Sequence, residues 1–345
     1  MKTGKAVMHV LLAMVLAVSV SVAGTSEAAS VSADHRATVH HGISVSFETH
    51  SAECGVCHAT RFAEWRFAAG SDMKTVGVGS YHAIGSTEPM YTGMLGMMDQ
   101  SMHEFCQGCH QGGNALAVVD KVNDIPASRP ANPEEGTNCL SCHFDGKKIV
   151  GGKDLADPVF CAACHNEKMG MMSTYVEWLN DYKGGKTCQQ CHMEDGSHVF
   201  LGYNSPSFIK KAIAISEPVV PETVSAGAGF DISFTLANNG VGHSVPEELI
   251  RLMRAKVSIT DVSGQEIFSQ ETIYCKRHPF FGENPADTVV IKAGETKQVS
   301  IPGVVIASPG IYTVSVELLQ DSNRLNPAAN TTAFMGSTYK TITVQ

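Results

Sequence analysis

Five copies of one pattern carry the reactive side chains of this chain: Cys54-Gly-Val-Cys57-His58, Cys106-Gln-Gly-Cys109-His110, Cys139-Leu-Ser-Cys142-His143, Cys161-Ala-Ala-Cys164-His165 and Cys188-Gln-Gln-Cys191-His192. They take up ten of the 11 cysteines. C-x-x-C-H is the pattern that attaches haem c covalently. Each thiol adds to one vinyl group, the two-residue gap matches the separation of the vinyls, and the adjacent imidazole is the proximal iron ligand. The expected cofactor is five haem c groups, anchored by Cys54, Cys57, Cys106, Cys109, Cys139, Cys142, Cys161, Cys164, Cys188 and Cys191. Their proximal ligands are His58, His110, His143, His165 and His192.

Other cysteine chemistries fit less well. Shuffling this composition yields about 0.015 such motifs, so five are not chance. Zinc sites join two Cys pairs and do not need a histidine after each. A dithiol redox site would occur once, near a βαβ pattern. Disulfides explain neither the fixed gap nor the five histidines. The remaining cysteine, Cys275, reads as a buried apolar thiol.

A second axial ligand for each iron must come from elsewhere in the chain. Outside the motifs and His9, the histidines are His35, His40, His41, His50, His82, His103, His198, His243 and His278. His82 and His198 rank first because each lies among small or apolar residues of the motif region. His103 follows, three residues before Cys106. His40, His41 and His50 precede the first motif, and at least one of them is expected to ligate. His243 would have to reach in from the C-terminal region. A haem with two histidine ligands has no open position and transfers electrons; one without a distal ligand would be a reaction site.

The elements that must position these groups follow from spacing. Five motifs fall between Cys54 and His192, too little chain to wrap each haem separately, so the haems must form most of the core. Short helices are expected at Ala59–Ala69, Pro89–Phe105 and Met171–Tyr182. After Ser216 the pattern changes to alternating, β-branched runs: Phe230–Leu236, Met253–Thr260, Glu266–Tyr274, Thr288–Lys292, Lys297–Val305, Ile311–Leu318 and Ser337–Val344. Turn residues such as Asn239-Gly240, Ser263-Gly264 and Pro309-Gly310 separate them. The expected fold is a haem-packed, mostly α and irregular multihaem cytochrome c domain at 29–215. An all-β immunoglobulin-like sandwich at 216–345 follows it.

Residues 1–28 read as an export signal. Lys2 and Lys5 precede an apolar run, Ala6 to Val22, and small residues follow; cleavage after Ala28 or Ala23 suits it. The apolar run is short and polar-interrupted for a membrane span, and no later segment reads as one. The mature chain is expected in the periplasm or at the cell surface. With 25 Lys+Arg against 34 Asp+Glu the net charge is −9, which argues against a nucleic-acid partner. Hydrophobic content of 43% excludes global disorder.

Several segments together resemble the multihaem cytochrome c superfamily, which includes hydroxylamine-oxidoreductase-like and pentahaem nitrite-reductase-like proteins. They are Cys161–His165, Tyr175-Val-Glu177-Trp178, Cys188–Met193 and His198-Val-Phe200-Leu-Gly202. In addition, Cys57-His58 is followed by Phe62 and Trp65 and then by Ser80-Tyr-His82-Ala83. The resemblance spans roughly residues 50 to 210 and implies distal ligation by His198 and His82. The nitrite reductases of this group attach the active haem with Lys in place of the motif histidine, whereas all five motifs here end in His. No Tyr cross-link context of the hydroxylamine-oxidising type is evident either. Both departures favour electron transfer. The segment Gly242-His243-Ser-Val-Pro246 resembles a G-H-x-x-P element in β-sandwich domains of exported multihaem cytochromes, with Glu247-Glu248 where Thr-Gly often follows.

Three functions stay open. The first is electron transfer along packed haems to redox partner proteins, with the sandwich used for docking or self-assembly. The second is reaction of a small nitrogen or sulfur compound at one open haem. The third is a subunit of an extracellular cytochrome filament. The mature protein is expected to carry five covalent haems by mass spectrometry, and Cys54→Ala with Cys57→Ala to remove one. Fewer than five additions in a host competent for haem attachment would contradict the reading.

Overall fold

C-x-x-C-H places Cys, Cys and His at i, i+3 and i+4, which share one face of a helical turn. A computed structural model of the chain has short helices at the motifs. It describes residues 38–40, 42–66, 103–119, 124–127, 135–167, 173–203 and 205–345. All of these belong to the larger of two compact units, Ala37–Gln345; the other, Met1–Arg36, and the expected leader at 1–28 lie outside the described residues. The first motif starts in α1 (Ser51–Gly55) and ends just before α2 (Ala59–Arg66). The other four close α3 (His103–His110), α4 (Cys139–His143), α5 (Val159–His165) and α7 (Cys188–His192). Helix α6 (Thr174–Asp181) matches the expected helix at 171–182. Most of the helix expected at 89–105 lies outside the described residues.

Caps start these short helices where propensity alone would not. Asn138 Oδ1 accepts from the N–H groups of Leu140 and Ser141, each at 3.1 Å, at the head of α4. Thr187 and Gln190 form a reciprocal capping box on α7: Gln190 N–H donates to Thr187 Oγ1 at 3.2 Å, and Thr187 N–H to Gln190 Oε1 at 2.8 Å. A hairpin of β1 (Thr38–His40) and β2 (Ile43–Val45) precedes the first site. Its two-residue connection closes through Gly42 at φ 87°, in the region that favours glycine. The clustered apolar core here is small among the described residues: Val45, Leu140 and Phe144, with Phe47 and Ile149 against them.

Beyond α8 (Pro206–Ile209) the chain is built on two sheets that share one apolar core. A three-stranded sheet has the order β3 (Ala214–Ile215), β5 (Gly229–Ala237), β8 (Thr296–Val305). A five-stranded sheet has the order β4 (Thr223–Val224), β10 (Thr332–Val344), β9 (Gly310–Asp321), β6 (Leu252–Asp261), β7 (Glu266–Tyr274). All neighbours are antiparallel except β4 and β10. Alternation in the sequence becomes alternation in burial: Phe230, Ile232, Phe234 and Leu236 of β5 face inward against Met253, Ala255, Val257 and Ile259 of β6. Each large side chain so buried contributes about 1.5–3 kcal/mol. Ile209 and Ile213 join this core from upstream of residue 216.

The run expected as a strand at 288–292 makes only two isolated bridges, Cys275 with Val289 and Val245 with Ile291. The residue after Val245 is Pro246, which has no N–H to continue the ladder. A bidentate ion pair supports this side of the sheets: Arg324 Nη1 and Nη2 donate to the two oxygens of Glu283 at 2.7 and 2.8 Å, and Arg277 Nη1 adds a bond at 2.6 Å. Arg324 Nε also holds Leu249 O at 2.7 Å.

Hydrogen bonding from Arg324, against the opposing effect of burial and with help from Arg277, keeps the Glu283 carboxyl at about 2 where 4.5 is usual. The folded value lies below the unfolded one, so this contribution is present above about pH 4.5 and is lost as pH falls toward 2. Screened by water at this incompletely buried group, it amounts to on the order of 1–2 kcal/mol. Glu283→Gln is expected to lower the urea midpoint at pH 7 and to flatten the loss of stability between about pH 4.5 and 2. Parallel midpoint–pH curves for parent and variant would contradict this.

Candidate functional site

Three of the five motif histidines lie against a histidine from a distant segment. The His58 and His40 ring centroids are 6.4 Å apart with planes at 22°. His143 and His198 are 6.1 Å apart at 17°, and His192 and His243 are 6.3 Å apart at 16°. The β1–β2 hairpin brings in His40. A loop that leaves His192 through Asp195 (φ 55°) and Gly196 (φ 70°) brings in His198; it closes where Leu201 N–H returns to His192 O at 2.9 Å. The segment between β5 and β6 brings in His243.

The protonation of two pairs is set by the backbone. His143 Nδ1 lies 3.0 Å from Val150 O and His198 Nδ1 3.2 Å from Gly196 O. His192 Nδ1 lies 2.5 Å from Leu201 O and His243 Nδ1 2.9 Å from Ser244 O. A carbonyl oxygen only accepts, so each Nδ1 carries the proton and each Nε2 is left as a lone-pair donor. Burial, with the neighbouring His243 and His165, lowers His192 to about 4. Burial, with His143 nearby, also lowers His198. Rings kept neutral at pH 7 are competent metal ligands.

An iron held between two imidazoles fits this arrangement. A metal–imidazole bond of about 2 Å on each side, plus about 1.1 Å from nitrogen to ring centre, separates two centroids by about 6.2 Å. The three pairs span 6.1–6.4 Å. A cleft of about 610 Å³ between α2 and Val199, with Ala59, Thr60, Ala63 and Glu64 on its wall, is in the size range of cofactor sites, about 300–1,000 Å³. Attachment thiols from different motifs also lie close together: Cys54 beside Cys139, and Cys161 beside Cys188.

His50 stands half-exposed at the head of α1, with Nδ1 3.3 Å from Glu135 Oε1, and is not brought to His58. His103 opens α3, two turns before His110. His41 and His82 lie outside the described residues. His110 and His165 lie within electrostatic reach of each other and of Glu248. Burial opposes ionisation of Glu248, but Arg251, whose Nε donates at 3.0 Å, and the two histidines hold its carboxyl below the usual range.

Several residues that place the rings were not visible in the sequence as site residues. Glu64 Oε2 accepts the His198 N–H at 3.0 Å and pairs with Arg61 Nη1 at 2.8 Å. Glu177 Oε2 accepts the Ser244 N–H, next to His243, at 2.8 Å. Glu64 signals itself only as a carboxylate on the helix after a motif, which many solvated helices share; Glu177 lies in the Tyr175–Trp178 segment of the resemblance, which assigned it no role.

No protein-family model and no curated protein matches the chain. Among solved structures it is similar to a penta-heme cytochrome c552 from Thermochromatium tepidum, with TM-score 0.63 and 15% identity over 86% of this chain and 99% of that one. The chain has a multihaem cytochrome c fold. The CARDB domain of the PF1109 protein from Pyrococcus furiosus also matches, with TM-score 0.24 and 14% identity over 39% of this chain and 87% of that one.

Gly242 fixes how the His243 segment meets α6. A Cβ there would lie 2.9 Å from the Trp178 ring and 3.2 Å from that of Tyr182. Gly242→Ala is therefore expected to destabilise the protein by about 1–3 kcal/mol through overpacking. Denaturant unfolding checks this, and an unchanged midpoint would show that the loop shifts freely.

Proposed function

We propose that the chain is an exported pentahaem c-type cytochrome that carries electrons along closely packed haems. The single observation behind this is the set of three near-parallel histidine pairs, each joining a C-x-x-C-H histidine to one from elsewhere at a metal-spanning distance. Haem c, when bound, supplies one-electron ferric/ferrous couples whose potentials depend on axial ligands, hydrogen bonding and burial. In this reading the ten motif cysteines anchor the cofactors. His58 with His40, His143 with His198 and His192 with His243 close both faces of three irons, leaving no position for a substrate. His82 and His103 remain the candidates for the other two, together with His41.

The residues of this chain also support an order for the sites. Contact of Cys54 with Cys139 puts the first and third sites side by side; contact of Cys161 with Cys188 does the same for the fourth and fifth. Electrostatic proximity of Cys142 to Cys161 links third to fourth, and of His110 to His165 links second to fourth. Backbone carbonyls on Nδ1 of His143, His198, His192 and His243 orient the rings. The shared apolar core of the two sheets supports an immunoglobulin-like sandwich, which would offer a docking face for redox partner proteins. The leader pattern at 1–28 supports export to the periplasm or cell surface.

Replacing one distal ligand tests the reading. His198→Ala is expected to keep all five covalent haems, because attachment uses only the motif residues. One haem should become high-spin in the ferric state, and one reduction potential should rise. If spectrum and potentials match the parent, His198 is not a ligand. A parent protein whose high-spin ferric signal shifts on adding nitrite or hydroxylamine would instead favour reaction at an open haem.

A further inference from the structure

We propose that Glu177 is a positioning residue for His243: a partly buried carboxylate on α6 holds the backbone beside a ligand contributed by the sheet region. This rests on the ligation reading above. Oε2 of Glu177 accepts the N–H of Ser244 at 2.8 Å, one residue from His243. Oε1 is fixed by Lys276 Nζ at 2.7 Å and Ser173 Oγ at 2.6 Å. Lys276 is itself buried, follows β7, and lies 3.6 Å from Glu247 Oε1. Glu247 takes a bond from Thr174 Oγ1 at 2.5 Å, so α6 grips the 242–247 segment at two points.

The remaining contacts of the segment converge on the same geometry. Gly242 packs under Trp178 and Tyr182, and Asn238 Nδ2 donates to His243 O at 2.8 Å. The carbonyl that orients the His243 ring belongs to Ser244, the residue whose N–H Glu177 holds. Glu177 therefore acts on the imidazole through one peptide unit, without touching it. The same device recurs at the other C-terminal ligand: Glu64 on α2 accepts the N–H of His198 itself and is steadied by Arg61. In both cases a carboxylate on a helix beside one site sets a ligand that belongs to another segment.

The test uses the full matured chain and compares His243→Ala, Glu177→Ala, Glu177→Gln and Gly242→Ala. The readouts are covalent haem count, ferric spin state with and without added imidazole, and individual reduction potentials. His243→Ala should turn one haem, about one-fifth of the total, from low-spin to high-spin. Glu177→Ala should keep five covalent haems and show part of that same conversion, reversed by imidazole. Glu177→Gln should fall between the parent and Glu177→Ala, because the amide oxygen still accepts from Ser244 while its NH2 faces the donors Lys276 Nζ and Ser173 Oγ. Gly242→Ala displaces the same segment from α6 by a different contact, so it should reproduce the partial conversion even if Glu177→Ala does not mature. If His243→Ala converts a haem while Glu177→Ala matches the parent, the positioning role is overturned. If Glu177→Ala does not mature and Gly242→Ala matches the parent, it is overturned as well. If His243→Ala itself matches the parent, the ligation reading fails instead.

Discussion

Two imidazoles held just over 6 Å apart, with their protons committed to backbone carbonyls as in His143–His198 and His192–His243, form a contact that two neutral rings have little reason to make alone. Each has a lone pair on Nε2 and no donor to offer the other. A metal between them would remove the conflict and turn each pair into a cross-link. The pairs His58 with His40, His143 with His198 and His192 with His243 connect the N-terminal hairpin, the motif helices and the sheet region. In the proposed assignment these cross-links do for residues 38–203 what an apolar core does elsewhere.

The two parts of the chain are stabilised by different physics. In the sheets, Phe234, Leu236, Val257, Val314 and Leu318 are almost wholly withdrawn from water, and alternation along each strand suffices to specify the fold. In the motif region the helices are one or two turns long, and their direct apolar contacts centre on Phe144, Leu140 and Val45. Caps such as Asn138 and Thr187 start the turns, but isolated helices of this length are not stable in water. In the proposed reading, their geometry comes from what the cysteines and histidines bind. The Glu177–Lys276 pair and Gly242 are where the two regimes meet.

Much of this was legible in the sequence because it is local. Cys, Cys and His at fixed spacing fit one face of a helical turn, as four of the five motifs show, and β7 occupies the run at 266–274 read from alternation. What was not legible is non-local. Nothing in composition separates His40 from His41 or His50; the register of a two-residue hairpin places His40 by its pairing with Ile43. His243 joins the motif region through a close approach that only glycine at 242 allows. Glu64 and Glu177 look like surface carboxylates until the backbone N–H groups they hold are seen. The run at 288–292 has strand composition but makes only bridges, one of them at Val245 beside Pro246.

The central claim, that distant histidines complete the haem sites begun by the motifs, is tested most directly by the ferric spin state of the intact, fully loaded protein. Low-temperature electron paramagnetic resonance, quantified against total haem, should show at least three of five irons as low-spin bis-imidazole centres. Fewer than three such centres, or high-spin signals from the haems of His58, His143 or His192, would contradict it.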